Sequence, residues 1–372
     1  MRNALGDFVA ERYDLGVADS KREVEAVREE LANLDVALVA MLDRRARLVR
    51  RLGESTRGQP PSLPVSDHER LRMLVGRSSG DMPSRSLEQI LRKVFSECVA
   101  LERQVSVAFV GPLGGPCHVA ALDRFGRASN LNAVASVAAG LSEVANGRAE
   151  YAVAPLETSE DGPMLTTIRA LVDSDLRIGE IIETTLELHL LNRSGSPSDI
   201  RTVYSTASDR AMCEHFLASM EPARTIVDVA APWVALEHAR TDPAAAAIGS
   251  DAFAAELGLE VARGHILDRR TERLRCAVIG SRPSRRTGKD ATSIVFGVGE
   301  SEGALGDLLR LLSEHGVVMT KIGSFPITGN AWSYASFVEV TGHFTDRPLV
   351  VSFEEMRRAA RFFRVLGSYP VP

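Results

Sequence analysis

Residues 105–123 constrain this chain more than any other stretch. They read Val-Ser-Val-Ala-Phe-Val, then Gly-Pro-Leu-Gly-Gly-Pro-Cys, then His118-Val-Ala-Ala-Leu. The apolar run is the pattern of a buried strand; Gly111, Pro112, Gly114, Gly115 and Pro116 break it, and a helical run follows. A strand that turns on glycines into a helix places backbone N–H groups at a helix start, which is a binding place for an anion. The spacing is not G-x-G-x-x-G and there is no Walker lysine, so neither a dinucleotide nor a P-loop nucleotide site is supported. The chain before this stretch reads as helical, and the chain after it alternates strand and helix.

At 372 residues the chain is too long for one core, and two or three domains are expected. Hydrophobic residues at 45% and charged ones at 25% fit an ordinary soluble protein, and a net charge of −5 argues against a general nucleic-acid binder. The four cysteines, Cys98, Cys117, Cys213 and Cys276, form no C-x-x-C, which suits a reducing compartment and supplies no metal site. No apolar run reaches the ~20 residues a bilayer requires, and no signal-peptide pattern opens the sequence. The expectation is a cytoplasmic protein with no membrane or nucleic-acid partner and no cofactor.

From Ala18 to Leu52, Val24, Val27, Leu31, Leu34, Leu38, Leu42, Leu48 and Leu52 recur at steps of three, four or their multiples, the signature of a long helix with a buried stripe. Helices are also expected over Ser66–Val75 and Ser84–Gln104. Three such helices enclose little core alone, and dimerisation is the natural remedy. Arg28 and Arg45 lie on the long helix roughly 25 Å apart at ~1.5 Å per residue, so one chain cannot close both on a small ligand. An antiparallel partner helix could bring a second copy's Arg28 to a site built on Arg45. The bland alternative is a charged, solvated helix surface.

Beyond residue 105 the candidate strands are Val107–Val110, Tyr151–Pro155, Ile178–Thr185, Leu186–Leu191, Val203–Tyr204 and Ala245–Gly249. The candidate helices are Leu131–Ala145, Met164–Leu171, Asp209–Ser219 and Trp233–Ala239. The alternation argues a mostly parallel sheet with helices on both faces, in one lobe or in two lobes with a cleft at the strand ends. After a basic linker at 282–289, strands at Thr292–Val298, Val317–Ile322 and Ser336–Thr341, helices at Gly303–Gly316 and Phe353–Phe363 and a closing run at 364–370 give a βαββαβ order, the ferredoxin-like arrangement.

Several motifs resemble those of the bifunctional chorismate mutase/prephenate dehydratases. The helical third carries Val27-Arg28-Glu29-Glu30-Leu31, Leu42-Asp43-Arg44-Arg45 and Pro64-Val65-Ser66-Asp67-His68-Glu69-Arg70. The middle carries Phe109-Val110-Gly111-Pro112-Leu113-Gly114 followed by His118-Val119-Ala120-Ala121, then Pro155-Leu156-Glu157-Thr158, Val203-Tyr204-Ser205 and Arg275. The last part carries Gly303-Ala304-Leu305-Gly306 and Gly323-Ser324-Phe325-Pro326. The resemblance implies a multidomain chain: an all-α chorismate mutase domain over 1–104, an α/β two-lobed, periplasmic-binding-like prephenate dehydratase domain over 105–284, and an α+β ferredoxin-like ACT domain over 288–372. It implies the phenylalanine branch of aromatic amino-acid biosynthesis, a small dicarboxylate substrate, an amino-acid effector and a homodimer or higher oligomer.

For the mutase, the resemblance implies anion-binding roles for Arg28 from a partner chain, Arg45 and Arg70, with Asp67 as the helix-2 carboxylate. The reaction is a pericyclic rearrangement helped by holding both carboxylates and by a cation on the ether oxygen. The family's lysine falls at Thr56 or, with a shifted gap, at Arg57. Its helix-2 glutamate falls at Leu71 unless Glu69 serves, its helix-3 serine is Cys98, and its glutamine is Glu102, which must be protonated to donate. For the dehydratase, the resemblance implies substrate-binding roles for His118, Glu157, Thr158, Ser205 and Arg275. There the family's threonine assists departure of the hydroxyl as carboxylate is lost and the ring aromatises. That threonine is Leu274, its Ser-Thr-Ser stretch is Ala230-Ala231-Pro232, and two serines are Glu160 and Asp161. Losing a general acid typically costs about 10²–10⁴-fold in rate, so the mutase is expected to be the working half, with no evident acid for the dehydratase step. Thr271 lies three residues from position 274 and is expected to point elsewhere. For the regulatory domain, the resemblance implies an effector site at Gly303, Ala304, Leu305 and Ser324, although the family's Glu and Arg are absent from that motif. Two other readings stay open: an enzyme repurposed to decarboxylate a prephenate-like ligand without aromatising it, and a non-catalytic partner of another shikimate-pathway enzyme.

Overall fold

The computed structural model describes residues 4–55, 66–102, 105–127, 129–160, 162–268, 273–299, 302–326 and 334–371. Three helices come first: α1 (Ala4–Ser55), α2 (Ser66–Val75) and α3 (Ser84–Glu102). The chain divides into two compact units, one holding α1 and the last two residues of α3, the other α2, the rest of α3 and everything described after it. The apolar stripe expected to be buried along α1 is exposed: Leu31, Leu34 and Leu38 are 56%, 60% and 56% accessible. Within its own unit, the described residues leave that stripe uncovered.

The second unit continues with β1 (Ser106–Val110), α4 (Pro116–Phe125), β2 (Asn130–Val134), α5 (Val137–Ala145), β3 (Tyr151–Thr158), β4 (Gly162–Pro163), α6 (Leu165–Val172) and β5 (Arg177–Thr185). Then come β6 (His189–Asn192), β7 (Thr202–Ser205), α7 (Ala207–Met212), α8 (Glu214–Ala218), β8 (Thr225–Asp228), α9 (Pro232–Thr241), β9 (Ala245–Gly249), β10 (Glu260–Arg263) and β11 (Arg273–Gly280). The chain ends with β12 (Asp290–Gly297), α10 (Ala304–Glu314), β13 (Met319–Pro326), β14 (Tyr334–Thr341), α11 (Arg347–Ala359) and β15 (Phe362–Pro370).

Two lobes form the middle. The first has the strand order β2-β1-β3-β11-β5, with β4 beside β3; the second has β10-β6-β9-β7-β8. Both sheets are mixed rather than mostly parallel, because β11 runs antiparallel to β3 and β5, and β6 antiparallel to β9 and β10. The chain crosses between lobes after β5 and returns before β11, which is why the returning strand enters reversed.

The segment expected to be helical over Leu131–Ala145 is a strand followed by a helix. Residues 130–134 pair in parallel with β1, and Ser136 then caps α5, its hydroxyl accepting from the Ala139 N–H. The helix expected over Asp209–Ser219 breaks at Cys213 into α7 and α8. The helix placed at Phe353–Phe363 begins six residues earlier at Arg347, with Pro348 in its first turn, the position where a missing N–H costs nothing.

The last four strands form a sheet in the order β13-β14-β12-β15, the ferredoxin-like arrangement. One face carries α10 and α11, with Ile294, Phe296 and Val338 packed on Leu308, Leu312, Phe353 and Met356. The other face joins the first lobe's core, where Val295, Phe337 and Leu366 share one apolar cluster with Ile178, Ala277 and Ile279. Gly367 is required here, since a Cβ would collide with the Ile178 backbone carbonyl.

Candidate active site

The first lobe gathers its strand ends on one edge. β1 ends there and turns into α4, β3 and β5 end there at Thr158 and Thr185, and the reversed β11 begins there at Arg273. In the second lobe β7 ends at Ser205, β8 at Asp228 and β9 at Gly249, beside the start of α9. The two edges meet. The Trp233 N–H donates to the Leu113 carbonyl at 3.3 Å, and the His118 ring lies between Phe109 of the first lobe and Phe253 of the second, with centroids 4.5 and 4.9 Å away. Ligands in open α/β folds bind outside the carboxyl ends of strands, which is this junction.

The glycine turn is more occupied than the sequence suggests. The N–H groups of Gly111, Gly114 and Gly115 donate to the Val134 carbonyl, His118 Nδ1 and the Pro112 carbonyl. Those three are therefore not the anion cradle that the strand–glycine–helix pattern implies. His118 is the turn's internal acceptor. Burial, aided by the nearby Arg127 charge, lowers its pKa to about 4, so it is neutral at pH 7.

Register across β3, β11 and β5 decides what faces where, because directly opposed residues share a face. One row is Glu157–Arg275–Glu183, and the next is Thr158–Leu274–Thr184. The Leu274 row faces α4: Leu274 packs with Cys117, Ala121 and Cys276, and the Cys117 and Cys276 sulfurs are 3.7 Å apart. The Arg275 row faces the ferredoxin-like sheet. The Arg275 guanidinium binds Glu157 at 2.8 Å and Glu339 of β14 at 3.0 Å, with Glu183 at 3.5 Å. Lys321 of β13 pairs with Glu157, and the Tyr369 hydroxyl of β15 donates to Glu339 at 2.7 Å. Burial works against the Arg275 charge, but the Glu339 and Glu157 carboxylates outweigh it and raise its pKa. Burial likewise works against ionised Glu339, and Arg275, Tyr369 and Lys321 overcome it, lowering its pKa. Nothing in the sequence marks Glu339, Lys321 or Tyr369 as partners of Arg275; only the packing of two distant sheets joins them.

The chorismate mutase type II family model matches residues 27–103, and the prephenate dehydratase family model matches 107–284. A bifunctional chorismate mutase/prephenate dehydratase from Aquifex aeolicus is 32% identical over 94% of this chain and 98% of its own length. The chain belongs to the bifunctional chorismate mutase/prephenate dehydratase family. The corresponding enzyme of Neisseria gonorrhoeae is 30% identical over 92% of this chain and 96% of its own. Among solved structures, the prephenate dehydratase of Arthrobacter aurescens in complex with L-Phe is 26% identical, with a TM-score of 0.62 over 72% of this chain and 90% of its own.

The other residues that the family resemblance singles out are placed as follows. Glu157 and Thr158 share β3 but face opposite sides, so Glu157 and Arg275 sit in the charge cluster rather than beside Leu274. Ser205 is fully buried, and its hydroxyl has no hydrogen-bond partner among the described residues. On the mutase side Arg28 is exposed and Arg45 half-buried on α1, and the Arg70 guanidinium lies 5.5 Å from the centre of the Phe95 ring. Leu71 and Cys98 are buried and apolar. Thr56, Arg57, Asp161 and Thr271 lie outside the described residues, as do the side chains of Asp67, Glu69 and Glu102. In the ferredoxin-like part Gly303 caps α10 with φ +79°, Ala304 opens the helix, and Leu305 and Ser324 are exposed. Among the described residues no cluster of His, Cys, Asp and Glu could hold a metal ion, and no helix is long and apolar enough to cross a membrane.

Proposed function

We propose that this chain converts chorismate to prephenate and prephenate to phenylpyruvate, as a homodimer in the phenylalanine branch. The observation that carries the reading is a bifunctional relative aligned over nearly the whole of both chains. The mutase chemistry is assigned to Arg28 of a second copy, Arg45 and Arg70, holding the substrate's carboxylates, with Asp67, Glu102 and Thr56 or Arg57 as polar partners. The exposed α1 stripe supports the dimer, since a second α1 is the surface that its apolar spacing fits. The dehydratase chemistry is assigned to the junction of the two lobes, where Thr158, His118 and Ser205 stand near the strand ends. The bifunctional relatives give no support to a repurposed decarboxylase or to a non-catalytic partner.

The βαββαβ part is proposed as an ACT domain that takes an amino acid such as phenylalanine at Gly303, Ala304, Leu305 and Ser324. The L-Phe complex of the structural relative supports this, as does the exposed edge formed by Val318, Met319 and Ile322, which suits a second copy. The test uses purified Arg45→Ala with each substrate supplied separately. Chorismate consumption is expected to fall about 10²-fold or more while phenylpyruvate formation from prephenate stays at the wild-type rate. Loss of both rates together, or of neither, would overturn the assignment.

A further inference from the structure

Converting prephenate to an aromatic product breaks two bonds. The electron pair of the ring–carboxylate bond enters the ring as carbon dioxide leaves, and the ring C–O bond breaks as hydroxide leaves. One proton must reach the departing oxygen to make water, so the site needs an O–H or N–H donor beside it. Position 274 cannot serve, because Leu274 carries no donor. The structure flanks it with hydroxyls on both neighbouring strands, since Thr158 on β3 and Thr184 on β5 are its direct partners and share its face. That face is the one turned toward α4, whose glycine turn touches the second lobe through Trp233.

The two threonines are not equivalent. Thr158 is enclosed by pairing on both sides, with β11 on one and Gly162 of β4 on the other. Thr184 lies on the edge strand of the sheet, at the point where the chain leaves for the second lobe, and it is half-buried. Among the described residues its hydroxyl has only a 3.5 Å contact with the Thr185 carbonyl, at the limit of a hydrogen bond, so the hydrogen is available to a ligand.

We propose that Thr184 supplies the proton to the departing oxygen in the dehydratase step, one strand over from the leucine that cannot. It passes its hydroxyl hydrogen to the leaving oxygen and recovers a proton from water, so the net step consumes one solvent proton. The inference rests on the dehydratase reading above and deepens it.

The test measures phenylpyruvate formation from prephenate in the full-length protein, with thermal unfolding as the check on folding. Thr184→Val keeps the shape and removes the hydroxyl; its kcat is expected to fall about 10²-fold with KM within threefold. Thr184→Ser should keep most of the rate, and adding Leu274→Thr to Thr184→Val should recover part of it by moving the hydroxyl across the row. A kcat for Thr184→Val within threefold of wild type, in a protein that turns prephenate over, overturns the assignment to Thr184 alone. A wild-type protein that makes no phenylpyruvate overturns the dehydratase reading, and this assignment with it. Should Thr184→Val unfold, the Thr184→Ser and Leu274→Thr variants decide: an unchanged kcat in Leu274→Thr with a lost kcat in Thr184→Ser would contradict a role for the hydroxyl itself.

Discussion

A half-buried arginine held by carboxylates is costly to remove, because its partners stay behind without that counter-charge. Arg275→Gln leaves Glu157 and Glu339 with Lys321 as their remaining cation among the described residues, and it should destabilise the protein by about 3 kcal/mol. The check is a lowered urea midpoint at unchanged m. His118 sets a pH dependence. Its folded pKa is held near 4 while the unfolded chain titrates at 6.5, so between those values the unfolded state binds a proton that the folded state refuses. Stability should therefore fall as pH drops from 6.5 toward 4, and His118→Gln should flatten that slope in urea titrations. Little of this residue scale is legible in the sequence. The Leu274 substitution can be read there, but the threonines beside it cannot: adjacency across strands needs a register, and Thr184 is 90 residues away in the chain.

Elements with a strong period or a strong stop were legible. The strand, turn and helix of β1 and α4 stand where the apolar run and glycines put them, and α2 begins and ends at the expected residues. β2 hides inside a longer helical pattern because Leu131, Val134 and Leu141 fit a 3.6-residue spacing, while parallel pairing with β1 decides residues 130–134. Tertiary pairing overrode local pattern there. The start of α11 was signalled by Pro348 after Asp346, a marker stronger than the apolar run further on. The contact between β15 and β5 gives the prediction at this scale. Gly367→Ala pushes a Cβ into the Ile178 carbonyl, so it should loosen the ferredoxin-like sheet from the first lobe and raise amide exchange along β15 and β5. Exchange rates equal to those of the wild type would show that the approach is not close.

At the scale of the whole molecule, α1 presents an apolar stripe that its own unit leaves uncovered, and two arginines on that helix are too far apart to share one ligand. The proposed dimer would resolve both. Mixing Arg28→Ala with Arg45→Ala protein, after dissociation and reassociation, should regain about a quarter of the wild-type mutase rate, because half of the dimers are mixed and each mixed dimer holds one intact site of two. No regain would place both arginines in one chain's site or in none. The account as a whole rests on two reactions in one chain. A time course of purified protein with chorismate as the sole substrate tests it most directly. The account predicts prephenate rising first and phenylpyruvate following as prephenate is consumed; chorismate left intact, or prephenate accumulating with no phenylpyruvate, would contradict it.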